Sequence, residues 1–291
     1  MNPFLDWCFK YLFGTEENKP NLIGFLNLML MPQSPIVDVE FMNNESLPSS
    51  PEIKECVFDI VCKDQNGERY LIEVQNGKMI EIKDRIIYYT CRLMDRMGKR
   101  GSGWNYSDIK RVYTICLMNF TFESNPKLRR DIQLYDIDDN TLFSDKINII
   151  MLQLPCLKAE SLGECKANYE LLLYLLKEMQ AGMKTIDELK QEIANTTLPQ
   201  KTKEVFYRVL DTADVGSLSE KDQMRYESAL KNYLDTMSCI EYATVKVREE
   251  GRAEGEAEAK FSIAKSMKEK GLDNKIIAEC TGLLVEQIKV L

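Results

Sequence analysis

Residues 57–75 read VFDIVCKDQNGERYLIEVQ, two runs that place apolar side chains on both alternating faces. In the first run Val57, Asp59 and Val61 share one face while Phe58, Ile60 and Cys62 share the other. In the second, Tyr70, Ile72 and Val74 oppose Leu71, Glu73 and Gln75. Neither run has a wet face, so both read as strands covered on two sides. Between them lies Asn66-Gly67, where both residues tolerate positive φ and predict a tight hairpin. A hairpin there makes Asp59 and Glu73 neighbours in space.

The same patterns extend along the chain. Residues 3–13 predict a short amphipathic helix stopped at Gly14, and residues 21–31 a second helix before Pro32. IVDVEF at 36–41 predicts a strand, followed by a polar Asn/Ser/Pro loop. Ile82, Ile86, Ile87, Cys91, Leu93, Met94 and Met97 recur at helical spacing, predicting a helix over 79–97 that ends at Gly98. Strands follow at RVYTICLM, IQLYDI and INIIMLQL, and Pro155 closes the region. Beyond it only helices are predicted, over about 164–180, 185–196, 199–210, 220–246 and 248–270. The chain thus reads as a mixed α/β domain over 1–155, a helical region over 156–246, and a charged helical linker with a helical hairpin over 247–291. REEGRAEGEAEAKF carries no apolar stripe and reads as solvated helix. The final two short helices turn at Thr281-Gly282. The second of them lacks basic residues at its start, which favours packing or dimerisation over DNA readout.

Composition narrows the chemistry. The 291 residues contain no histidine, which excludes Ser-His-Asp and Cys-His catalysis and HExxH zinc sites. Nine cysteines form no CxxC pair, and five lie in apolar periodic runs, as expected of reduced thiols in a cytoplasmic protein. The longest apolar stretch, 22–31, is too short to span a bilayer, and no leader-like segment opens the chain, so no membrane partner is expected. The net charge is −8, yet residues 78–111 hold nine Lys/Arg against four acids, a local excess of five positive charges.

Two carboxylates about 5 Å apart at an effective dielectric near 20 repel by roughly 3 kcal/mol. A divalent cation reverses the sign of that cost, and Asp59, Glu73 and the intervening main-chain carbonyl supply oxygen ligands suited to Mg²⁺. Gln75 shares a face with Glu73 and can hold a water by its amide. The alternative is an edge hairpin whose acids face solvent or pair with lysines.

The opening DWCFKYLFG, with Asp6, Phe9, Lys10, Phe13 and Gly14, then the Asp59 strand, the IEVQ strand, and Arg85, Tyr88 and Tyr89 in the next helix, carry a resemblance. This arrangement resembles the PD-(D/E)XK nuclease family transposases, also called Rpn-family recombination-promoting nucleases, over about residues 3–155. The resemblance implies a restriction-endonuclease-like mixed sheet flanked by helices, followed by an all-helical C-terminal region. It implies a metal-dependent DNA endonuclease with Asp59 and Glu73 as ligands of Mg²⁺, or of Mn²⁺, and with Gln75 in place of the superfamily's lysine. Asp6 is a further catalytic candidate, with an i,i+4 pair to Lys10 as its alternative. Lys10, Arg85, Arg92, Lys99 and Arg100 are the candidate DNA contacts, although a solvated cation accounts equally for Arg85. Tyr88 and Tyr89 read as core or as base-stacking residues. Extra glycines in the basic loop 99–104 depart from the family pattern. DNA is the expected partner, a homodimer the expected assembly, and no nucleotide cofactor is expected. The competing reading is a catalytically silent, transposon-derived protein that binds protein or DNA.

Overall fold

Helices α1 (Asp6–Phe13) and α2 (Lys19–Leu30) open the chain and meet through Phe9, Phe13 and Phe25, whose rings pack within 6.2 Å of one another. The computed structural model describes residues 1–43, 45–46, 56–57, 59–98 and 105–291. Strands β1 (Val39–Phe41), β2 (Glu45–Ser46), β3 (Cys56–Val57), β4 (Ile60–Asp64) and β5 (Arg69–Gln75) follow, then helix α3 (Ile82–Asp95) and strands β6 (Val112–Met118), β7 (Arg129–Tyr135) and β8 (Leu142–Gln153). Six of these strands form one sheet in the order β1-β4-β5-β6-β8-β7, while β2 and β3 pair separately. The β5–β6 and β6–β8 pairs are parallel and the remaining pairs antiparallel, so the sheet is mixed.

Helices cover both faces, which is why the central strands lack polar alternation. Ile60, Cys62, Tyr70, Ile72, Ile115 and Leu117 point into the larger core with α1 and α2. Helices α4 (Asn168–Ala181), α5 (Ile186–Ala194) and α6 (Gln200–Thr212) pack into that same core. On the opposite face Val61, Leu71 and Val112 meet Leu93 of α3, while Cys116 and Met118 meet Ile82 and Ile86. Thr114 of β6 is buried under α3 and shares a 2.7 Å hydrogen bond with Thr90.

The connection from β4 to β5 differs from a two-residue turn. It spans Gln65 to Glu68, and Gly67 alone of the Asn-Gly pair takes positive φ, at 80°. Asp64 replaces the tighter geometry by accepting from the backbone N–H groups of Asn66 and Glu68, each at 2.9 Å.

Two compact units are present, Met1–Leu230 and Lys231–Leu291. Helix α7 (Glu220–Glu269) is continuous for 50 residues, where the sequence predicted two helices. Gly251 and Gly255 each weaken a helix by only about 1 kcal/mol relative to alanine, and no proline or cap interrupts it. The REEGRAEGEAEAKF stretch is helical and exposed throughout. In the second unit α8 (Asn274–Thr281) and α9 (Val285–Lys289) close a small core of Ala264, Ile277 and Ile288. Gly282 makes the predicted turn in the left-handed region, and Lys268 caps the Ile288 and Lys289 carbonyls. Among the described residues no helix is long and apolar enough to cross a membrane.

Candidate active site

The β4–β5 ladder ends at the pair Ile60–Ile72. Beyond it two side chains take over from the backbone. Asp59 lies in a bend immediately before β4, not within the strand as its alternation predicted. Its Oδ2 accepts from the Val74 N–H at 2.7 Å, while its own N–H donates to Glu73 Oε1 at 3.3 Å. Each carboxylate is therefore held by a backbone N–H of the opposite segment at the strand end. Glu73 is 2% exposed, on the α3 face beside Leu71, and the Asp59 side chain is 15% exposed.

Four other side chains converge on this pair. Gln75 Nε2 donates to Glu73 Oε2 at 3.3 Å. Arg85, on the first turns of α3, reaches the same oxygen at 3.4 Å and lies 4.9 Å above the Tyr89 ring. From α1, Lys10 Nζ sits 2.7 Å from Asp6 Oδ1 and 3.7 Å from Asp59 Oδ1. The i,i+4 pair of Asp6 with Lys10 thus exists, and it points at Asp59 instead of being a detached surface pair. That placement of Lys10 was missing from the sequence reading. Its signals there were its place in the DWCFKYLFG motif, which made it a candidate DNA contact, and its position one turn after Asp6.

Burial, and after it the Asp59 charge, pushes the Glu73 carboxyl well above its usual range, against the opposing pull of Arg85. Burial also raises Asp59, and Asp6 adds to the shift, although the Val74 N–H and Lys10 oppose it. For Lys10 burial works against the ammonium, but the Asp6 hydrogen bond and the Asp6, Asp59 and Glu73 charges outweigh it and hold its pKa above the usual lysine value. Three carboxylates meet two cations, and the strained members are the buried acids. Such a site gains by taking up another cation.

Among the described residues no group of three or more His, Cys, Asp or Glu side chains is arranged to hold a metal ion. The available donors are the two carboxylates of Asp59 and Glu73. That set suits a hard ion that keeps several waters, as Mg²⁺ does, and would not suit a soft metal.

The other predicted contacts fall elsewhere. Arg92 is two turns further along α3, 18% exposed, and pairs with Asp95 at 3.6 Å. Lys99, Arg100 and the basic loop around them lie outside the described residues. Tyr89 packs beside the smaller core as well as under Arg85, whereas Tyr88 is exposed. Sequence reading also passed over Asn76 and Asn119, which directly follow β5 and β6. Their side chains bond at 2.8 Å, and Asn119 N–H donates to the Gln75 carbonyl at 2.9 Å, tying together the two loops at this end of the sheet.

Comparison with known families finds a match over residues 3–243 to a family described as PD-(D/E)XK nuclease family transposase. No curated protein and no solved structure matches the chain.

Proposed function

The chain belongs to the PD-(D/E)XK nuclease family transposases, and we propose that it is a metal-dependent endonuclease that hydrolyses phosphodiester bonds of DNA. The observation that carries this reading is the linkage of Asp59 N–H to Glu73 and of Val74 N–H to Asp59, which brings a buried and a half-buried acid together with their charge not fully balanced. Asp59 and Glu73, with the Val74 carbonyl, would hold Mg²⁺ or Mn²⁺. Bound there, the ion lowers the pKa of a water and offsets charge that develops on the phosphate.

The chain's own groups divide the remaining work. Lys10 keeps positive charge beside Asp59, where it would meet a phosphate oxygen. Gln75 donates to Glu73 and offers its amide oxygen to orient a water, a positioning role that adds no charge. Arg85 rests on Glu73 and on the Tyr89 ring, so its guanidinium is preorganised for a phosphate oxygen once an ion shares Glu73. Asp6 restrains Lys10. A homodimer would supply two such sites for two strands.

Nicking of supercoiled plasmid by the purified full chain tests this reading. Activity is expected with Mg²⁺ or Mn²⁺, abolished by EDTA, and lost in a folded Asp59→Asn variant. Equal nicking by wild type and variant would overturn the assignment.

A further inference from the structure

The loops that leave β5 and β6 enclose a second feature beside the carboxylate pair. An open cleft of about 540 Å³ is walled by Met79, Ile82, Phe120 and Phe122 and rimmed by Lys78 and Lys83. Ile82 and Phe120 are buried and form its floor, whereas Phe122 is only partly covered and keeps ring surface available. The Lys83 ammonium lies 5.4 Å from the Phe122 ring centroid, over the ring, with its side chain 62% exposed. Lys83 also pairs with Glu123 at 3.1 Å, and Glu123 is shared with Arg130. Asp84 is the one acid in the lining, against two lysines.

Arg85 joins the cleft to the carboxylates. Arg85 contacts the Met79 sulfur at 3.9 Å and Glu73 at 3.4 Å. A strand whose phosphate lies at Glu73 and Arg85 therefore has an aromatic, cation-rimmed hollow next to it.

The geometry points to a nucleobase-binding subsite: the cleft receives one unstacked base of the bound strand, flanking the scissile phosphate, on the Phe122 ring, with an adjacent phosphate on Lys78 and Lys83. An aromatic ring stacks on any base, and lysines at the rim complement the backbone, so the subsite holds a strand in place without reading its sequence. The identity of the ligand as a nucleic-acid strand rests on the nuclease reading above.

Photocross-linking of the full chain to a single-stranded oligodeoxynucleotide carrying 5-iodouracil, in Ca²⁺ in place of Mg²⁺, tests the subsite, with affinity followed by fluorescence anisotropy. Adducts are expected on Phe122 or Phe120. Phe122→Leu, which preserves an apolar contact but removes the ring, should weaken binding about tenfold. Lys83→Gln, at an exposed position that does not threaten folding, should weaken binding and flatten its salt dependence. Adducts confined to other residues, equal affinities for wild type and Phe122→Leu, or no binding by wild type would each overturn the inference. Phe122 adducts and a weakened Phe122→Leu variant in a chain that cuts no DNA would leave the subsite standing and overturn the nuclease reading alone.

Discussion

Glu73 holds a carboxyl that burial and Asp59 both disfavour as an anion, yet Asp59 N–H, Gln75 and Arg85 are all aimed at it. In the folded chain both acids are raised relative to the unfolded chain, so the folded state binds more protons above the ordinary carboxylate range. Stability of the metal-free protein is then fullest while the pair is protonated, and it is lost as pH rises through the raised pKa values. Melting curves in EDTA between about pH 5 and about pH 8 should show a falling midpoint. Glu73→Gln should flatten that fall and stabilise the alkaline end by about 1–2 kcal/mol; the same slope in both proteins would contradict the electrostatic assignment. Lys10→Met should lower the cleavage rate by about 10–100-fold, since a positioned charge near a developing oxyanion is worth a few kcal/mol. Lys10→Arg should recover part of it, and an unchanged rate in Lys10→Met would remove Lys10 from the site.

Element by element, the sheet and its covering helices were legible because the signals are local. β6 was predicted by RVYTICLM and α3 by apolar spacing, and both formed where expected to within a few residues. The start of β4 was not legible, because alternation says nothing of where a partner strand ends. Asp59 leaves the ladder to bond Val74, and only the β5 register shows that. Nor did any local pattern show that α2 would meet α6. There Gly24 allows the approach, since a Cβ would come within 2.5 Å of Val205. Gly24→Val should therefore cost about 1–3 kcal/mol in chemical denaturation, and a wild-type midpoint would show that the two helices separate easily. The single span of α7 was missed because the pattern was divided at residue 247, where neither proline nor glycine ends the helix.

On the scale of the whole molecule, a chain of net charge −8 is proposed to act on a polyanion. The contradiction eases because the site combines Lys10 and Arg85 with an acid pair that gains by taking up a cation. Candidate ligands were legible as residue types at a hairpin, whereas the convergence of α1, β5 and α3 on them required the fold. Light scattering of the full chain should give twice its 33.7 kDa mass if two copies act together, and a monomer at working concentration would contradict the homodimer. The most direct test of the carboxylate pair is Mn²⁺ uptake, followed by the electron paramagnetic resonance signal of the free ion, in wild type and in the Asp59→Asn, Glu73→Gln double variant. Saturable uptake by wild type and none by a double variant with an intact melting transition is the predicted result. Equal uptake by the two proteins would contradict the assignment of Asp59 and Glu73 as the metal-holding pair.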